Sequence, residues 1–126
     1  GLDVHNNRIV NVADPKDPTD AVNKRYVDNA VKNINNNINR LDNKIDHVDR
    51  KLRAGIAGAT AISFLQRPNE AGKSLVSVGV GGYRNENALA VGYGRNSDNI
   101  KISIKVGASI NSRSDVNWGG SIGYQW

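Results

Sequence analysis

The final third of this chain alternates apolar residues with small or polar ones, and this alternation constrains the fold more than any other feature. Four stretches show it, separated by turn-forming residues at 84–87, 95–99 and 111–115. Their apolar positions are Val76, Val78 and Val80; Leu89, Val91 and Tyr93; Ile100, Ile102, Ile104, Val106, Ala108 and Ile110; and Val116, Trp118, Ile122, Tyr124 and Trp126. A period of two predicts β-strands with one apolar face each.

The second face of each predicted strand carries Gly, Ala, Ser or Lys instead of the long polar side chains of a water-facing sheet. A transmembrane barrel has this arrangement, with apolar side chains toward lipid and small or polar ones toward the lumen. The aromatic residues lie mostly toward the strand ends, where the girdles of such barrels lie. Each stretch is also long enough for one crossing, which takes about 9–11 residues.

A heptad repeat precedes the strands. Its d positions are Val27, Ile34, Leu41, Val48, Gly55 and Ile62, and its a positions are Val31, Ile38, Ile45, Leu52 and Ala59. This spacing predicts a coiled-coil helix, and β-branched residues at both positions favour three helices over two. We call the large apolar members the helix seam: Val27, Val31, Ile34, Ile38, Leu41, Ile45, Val48 and Leu52.

The heptad and the strands divide the chain into four predicted parts. Residues 1–20 form a neck-like connector, in which Asp17 as N-cap, followed by Pro18, predicts the start of the helix. Residues 21–53 form a trimeric coiled-coil stalk, residues 54–73 a pore helix and turn, and residues 74–126 a four-stranded barrel segment.

The pore helix is rich in Gly and Ala, although each interior Gly costs about 1 kcal/mol relative to Ala. Close packing in a crowded space accounts for that composition. We therefore predict that Gly55, Gly58 and Ala59 pack inside the pore.

Four strands cannot close a barrel, and an open edge is not tolerated in lipid. Two copies would give a channel of eight strands, which side chains already fill. Three copies give twelve strands and a diameter of about 24 Å, enough for three closely packed helices. The helix seam independently favours three. We predict a membrane β-barrel with a coiled-coil helix: a homotrimer with four antiparallel strands per chain, closing one twelve-stranded transmembrane barrel with three helices in the pore.

Three segments resemble the membrane anchor of the trimeric autotransporter adhesins, the family that includes the Yersinia adhesin YadA. Residues 7–13 with 19–23 resemble the family's neck motif, and residues 79–84 with 88–92 resemble its first hairpin. The terminal residues 123–126 resemble its last strand. The resemblance covers essentially the whole chain, and within the family it is greatest to an adhesin of Haemophilus.

This resemblance implies an anchor in the bacterial outer membrane that takes part in exporting a passenger domain and then displays it for attachment to host cells. It implies contact with outer-membrane lipid and with the outer-membrane assembly machinery, and with a host-cell receptor only through the upstream passenger. It also implies a lumen-facing glycine, which maps onto Gly92, and an insertion signal at Tyr124 and Trp126. Trp126 stands where many outer-membrane proteins end in Phe.

Other chemistries have little support in the sequence. The absence of Cys excludes a disulfide framework, and 17 basic residues scattered among 12 acidic ones indicate a solvated surface instead of a nucleic-acid partner. His5 and His47 have no partner at metal-ligand spacing. We expect no enzyme activity, cofactor or metal. The alternative function is a soluble trimeric coiled-coil and β receptor-binding fibre module.

Overall fold

The computed structural model describes residues Gly1–Trp126 and contains a long helix followed by a four-stranded sheet. The elements are α1 (Lys24–Ser63), β1 (Ser74–Tyr83), β2 (Glu86–Asn96), β3 (Ile102–Asn111) and β4 (Val116–Tyr124). The strands are antiparallel in the order β1-β2-β3-β4. The chain divides into two compact units, Gly1–Lys44 and Ile45–Trp126. No helix of the structure combines the length and the apolar character needed to cross a membrane.

The helix begins later than the sequence predicts. Asn23 is its N-cap, since its side-chain Oδ1 accepts a hydrogen bond from the backbone N–H of Tyr26 at 2.9 Å. Asp20 instead accepts from the backbone N–H groups of Lys16 and Asp17, both at 2.9 Å. These bonds close an isolated turn before the helix, so the predicted N-cap at Asp17 is wrong.

Two strand ends also differ from the prediction. The β1–β2 connection is a two-residue turn in which Arg84 and Asn85 both have positive φ, of 45° and 67°, as tight hairpins favour. Glu86 therefore already belongs to β2 instead of the turn. Ile100, predicted in a strand, has φ 58° and lies in the β2–β3 turn, because its N–H donates to the carbonyl of Ser97 at 2.9 Å.

The sheet has one covered face and one open face. Burial alternates along the whole of β2, and its buried positions carry small or polar side chains. We call the covered side the inner face and the exposed apolar side the outer face. The hydrophobic cluster against the inner face is small: Ala57, Ala61, Leu65, Ala88 and Ala90. No large side chain of this single chain is fully buried, so most of its large apolar side chains are left exposed.

Candidate functional site

Two glycines on neighbouring strands form a hole in the inner face. Gly92 of β2 is paired with Gly107 of β3, and the side chain of Leu65, only 5% exposed, lies over both. A Cβ atom at Gly92 would lie 2.7 Å from Leu65 Cδ1, and one at Gly107 would lie closer still. Glycine is therefore needed at both positions while Leu65 occupies this hole, which we call the glycine hole.

The helix approaches β1 even more closely, backbone to backbone. A Cβ atom at Gly79 would lie 2.5 Å from the carbonyl oxygen of Ala61, and one at Gly81 would lie 2.6 Å from the Ala61 nitrogen. Ala57 and Ala61 are fully buried in this contact. Glycine on the strand and alanine on the helix together permit the short distance, because neither carries a side chain beyond Cβ.

A polar contact holds the helix against β4. The side-chain Nδ2 of Asn117 donates a hydrogen bond to the Gly55 carbonyl at 2.8 Å. A Cβ atom at Gly58 would lie 2.8 Å from that same Nδ2 and 2.8 Å from the Ser109 hydroxyl. Gly58 thus leaves room for two polar side chains of the inner face between helix and sheet.

The four residues predicted to pack in the pore fall into two groups. Gly58 and Gly92 each meet a facing element of their own chain, as described above. The Gly55 carbonyl accepts a hydrogen bond from Asn117, but the Cβ sides of Gly55 and Ala59 face no element of their own chain: a Cβ atom at Gly55 would have no neighbour within 4 Å, and Ala59 is exposed. Both continue the heptad spacing of the helix seam, whose residues are between 44% and 65% exposed in the single chain.

The strands contain three charged residues: Glu86, Arg95 and Lys105. Glu86, 3% exposed, accepts hydrogen bonds from Arg113 at 2.8 and 3.1 Å and from the Ser112 hydroxyl, which joins β2 to the β3–β4 turn. The Nζ of Lys105 donates to the carbonyl of Leu65 at 3.3 Å. Leu65 lies just beyond the end of α1, and a cation near the C-terminus of a helix is stabilising. Lys105 therefore holds the segment that follows the helix against β3.

The two residues predicted to form the insertion signal lie at the end of β4. The rings of Tyr124 and Trp126 stack with centroids 6.2 Å apart, and both are well exposed. The backbone of Gln125 donates to the carbonyl of Lys101 at 2.8 Å, which holds this end of the chain beside the β2–β3 turn. The aromatic pair therefore lies at the margin of the sheet.

Sequence reasoning missed several residues of this arrangement. Leu65, Gly107 and Lys105 were not predicted as site residues, and Gly79 and Gly81 were noted only as part of a hairpin motif. A glycine opposite another glycine on the next strand is the available signal, but it needs the strand register. No group of three or more His, Asp or Glu side chains is arranged to hold a metal ion.

An outer face of exposed apolar residues, an inner face of glycine and small polar residues, and a helix across that inner face are together the features of a membrane β-barrel subunit. Residues 66–126 match the YadA-like membrane anchor domain. The solid-state NMR structure of the membrane anchor domain of the trimeric autotransporter YadA is similar, with a TM-score of 0.66 and 33% identity, covering 72% of this chain and 86% of that one.

Curated relatives give the same result. The chain is 40% identical over 119 residues to the autotransporter adhesin NhhA of Neisseria meningitidis serogroup B, covering 94% of this chain and 19% of NhhA. It is 34% identical over 79 residues to the adhesin YadA of Yersinia enterocolitica, covering 63% of this chain and 18% of YadA. The chain belongs to the family of YadA-like membrane anchors of trimeric autotransporter adhesins.

Family membership confirms the predicted fold and location: four antiparallel strands and a helix per chain, in a homotrimer of the bacterial outer membrane. It goes against the alternative of a soluble fibre module. The family is one of adhesin anchors and not of enzymes. The chain spans about a fifth of the length of NhhA and YadA. The expected similarity to a Haemophilus adhesin in particular stays a prediction.

Proposed function

We propose that three copies of this chain anchor an adhesin in the outer membrane, take part in exporting its passenger domain, and then display that passenger for attachment to host cells. The observation that carries the proposal is the helix on the inner face, with Leu65 in the glycine hole. A sheet that is apolar outside and small inside fits a barrel with a filled lumen. The helix that fills it would leave the barrel toward the passenger.

The four predicted parts of the chain take roles in this proposal. Residues 1–20 are the neck-like connector, and residues 21–53 are the stalk, held in a trimer by the helix seam. Residues 54–73 are the pore helix and turn, and residues 74–126 are the barrel segment. In the homotrimer, the Cβ sides of Gly55 and Ala59 face the axis, since a Cβ atom at Gly55 would have no neighbour within 4 Å and Ala59 is exposed in the single chain.

Conductance in planar bilayers tests whether the helices fill the pore. The full chain and a chain lacking residues 1–53 are expected to conduct poorly, because both keep the pore helix. A chain lacking residues 1–65 is expected to conduct freely or to form a less stable trimer, since it loses the helix and Leu65. Equal conductance in the full chain and in the chain lacking residues 1–65 would show that the helices do not fill the lumen.

Export is tested with an epitope-tagged passenger fused ahead of the chain. Antibody labelling of intact cells is expected to detect the tag at the surface. Gly92→Leu is expected to lower this signal, because the added side chain projects from the inner face of the sheet and narrows the pore. If the tag is not labelled by antibody on intact cells whose outer membrane contains the trimer, the export role is contradicted.

The exposed aromatic pair at the end of β4 supports a role as the signal that the outer-membrane assembly machinery reads. Deleting Trp126 is then expected to lower outer-membrane levels in cells, while purified chains still refold into trimers in detergent. If Trp126 only adds lipid-facing area, the trimer weakens in both settings, by a few kcal/mol at most per chain. Normal cellular levels of the deletion variant would remove the recognition role.

The remaining partners follow from the same proposal. A host-cell receptor is contacted only through the upstream passenger, and outer-membrane lipid covers the outer face. The proposal includes no nucleic-acid partner, no cofactor and no catalysed reaction, and some of the polar inner-face groups bond to the helix or to the residue just beyond it. Asn117 on the Gly55 carbonyl and Lys105 on the Leu65 carbonyl are examples.

A further inference from the structure

The three charged residues of the strands differ in the face from which they project. Glu86 and Lys105 lie on the inner face, and both bond to groups of their own chain. Arg95 lies on the outer face, in register with Ile104, and is exposed. It forms no ion pair with any carboxylate of the chain. The outer face of the strands therefore carries one charge that the chain itself does not neutralise.

Two hydroxyl groups hold the Arg95 side chain in place. Its Nη1 donates a hydrogen bond to the Ser74 Oγ at 3.3 Å, and the hydroxyls of Ser74 and Tyr93 are hydrogen-bonded to each other at 3.0 Å. A guanidinium has five N–H donors, so most of those of Arg95 are free. All three residues are exposed. Together they present a positive charge and several hydrogen-bond donors to whatever surrounds the outer face.

Arg95 lies at the margin of that face. It is the last residue but one of β2, about 7 Å beyond Tyr93 along the strand. Tyr124 lies at the same end of the sheet, paired with Ile102. Aromatic residues on a barrel mark the level where hydrocarbon meets the lipid headgroups, and a cation on the lipid face is costly in mid-bilayer and tolerated at that level. The charge is therefore at headgroup depth.

The direction of the helix indicates which leaflet this margin faces. Arg53 of α1 donates to the carbonyl of Arg84 in the β1–β2 turn at 2.9 Å. At the opposite end of the sheet, the side chain of Asn96, next to Arg95, donates to the carbonyl of Pro68 at 2.8 Å. The passenger precedes the helix in the chain, so the proposed function puts the β1–β2 turn toward the cell surface. Arg95 then lies in the periplasmic leaflet, whose lipids are phospholipids.

We infer that Arg95, Ser74 and Tyr93 bind the phosphate of a phospholipid headgroup. A phosphodiester carries one negative charge and two free oxygens, and guanidinium N–H groups form charge-assisted hydrogen bonds to such oxygens. The acyl chains of the same lipid would lie along exposed apolar residues of the outer face such as Val76 and Val106. The choice of leaflet rests on the proposed function.

The other charges at this end of the sheet leave Arg95 free for a ligand. Two exposed lysines, Lys73 and Lys101, lie in the segments that lead into β1 and β3. Two acidic residues, Glu70 and Asp98, lie there as well, and neither forms an ion pair with Arg95. One site per chain gives three in the homotrimer.

Native mass spectrometry of the detergent-extracted trimer of the full chain tests the site. The trimer is titrated with dioleoylphosphatidylglycerol, and the bound lipids are counted after the micelle is removed in the gas phase. Arg95→Gln is expected to bind this lipid about tenfold or more weakly than the wild type, the scale of a lost hydrogen bond to a charged group. Arg95→Lys keeps the charge and is expected to retain most of the affinity. Equal affinities of Arg95→Gln and the wild type would overturn the inference.

Matched controls separate the phosphate from net charge and from the acyl chains. Arg40→Gln removes one positive charge from an exposed position of α1 and is expected to bind the lipid like the wild type. Dioleoylglycerol, which has the same acyl chains without phosphate, is expected not to bind. Glycerol 3-phosphate, which has no acyl chains, is expected not to compete at equal concentration. An equal loss in Arg40→Gln, equal binding of dioleoylglycerol or competition by glycerol 3-phosphate would each overturn the phospholipid site.

Unheated gels show whether each variant assembles. Where Arg95→Gln does not, Tyr93→Phe takes its place, since it removes one hydroxyl group and is expected to bind the lipid severalfold more weakly; unchanged affinity would overturn the inference. The passenger-labelling experiment uses no added lipid and fails independently. Loss of specific lipid binding with a labelled passenger would overturn this inference alone. Specific lipid binding with an unlabelled passenger would overturn the export role and the choice of leaflet.

Discussion

At the scale of single residues, the glycine hole determines how closely Leu65 packs against the inner face of the sheet. Gly92→Leu would force a side chain into the space that Leu65 occupies, where even a Cβ atom lies at 2.7 Å. Overpacking of this kind costs about 1–3 kcal/mol per site, and the homotrimer contains three sites. We expect a lower dissociation temperature of the trimer on unheated and stepwise-heated gels. Leu65→Ala in the same background is the control, because it empties the hole and is expected to restore part of the loss. Wild-type dissociation of Gly92→Leu would contradict the assigned packing.

Lys105 provides a second test at this scale. Its ammonium donates to the Leu65 carbonyl just beyond the end of α1. Such a cation contributes about 0.3–2 kcal/mol, depending on how far the site is shielded from water. Lys105→Met is expected to lower the dissociation temperature of the trimer. Lys105→Arg keeps the positive charge and is expected to dissociate at a temperature close to that of the wild type. Equal dissociation temperatures for the Met variant and the wild type would show that the contact does not stabilise the helix in place.

At the scale of elements, the connector is tied to the start of α1 through Asp14. Its carboxylate accepts hydrogen bonds from Asn23 Nδ2 at 2.8 Å and from Arg25 at 2.8 and 3.0 Å. The bond from Asn23, followed by that from Arg25, lowers the pKa of Asp14 below its ordinary value of 3.8. Because the folded pKa is the lower one, this contact stabilises the connector above pH 3.8 and is lost as the pH falls through the folded pKa.

We therefore expect the NMR signals of the Asn23 side-chain amide to change on acidification below pH 3.8, and not at neutral pH. Asp14→Asn removes the titrating group and is expected to abolish that change. A transition of the same size in Asp14→Asn would assign it to another carboxyl group of the connector.

At the scale of the whole molecule, the single chain is incomplete. Its helix seam and both sheet edges are open, and unpaired backbone groups are very costly in hydrocarbon. Unheated gels in detergent are expected to show a band near three times 13.6 kDa, and boiled samples a band at the monomer mass. A monomer that stays folded in detergent would contradict the proposed closure of the barrel.

Local patterns in the sequence determined the kind of molecule this is. A period near 3.5 predicts a coiled-coil helix and a period of two predicts strands, because each pattern depends only on residues close together in the chain. The small second face of the strands and the Gly-rich helix pointed to a filled membrane barrel. Four strands per chain and β-branched residues at both seam positions led to the trimer. Gly92 was found only through family resemblance. Its pairing with Gly107, which makes glycine necessary there, could not be predicted from the sequence.

Only the tertiary structure decided which residues meet. Gly92 lies opposite Gly107 because of the β2–β3 register, and Leu65 reaches both because of where the helix ends. The N-cap of α1 is Asn23 and not Asp17, because Asp20 accepts hydrogen bonds from the backbone of Lys16 and Asp17 in a separate turn before the helix. These contacts join segments far apart in the chain, so their geometry depends on strand register, helix rotation and close backbone approach. The periodicity of the sequence does not specify strand register, helix rotation or the distance between backbones. Packing of the whole chain determines all three together.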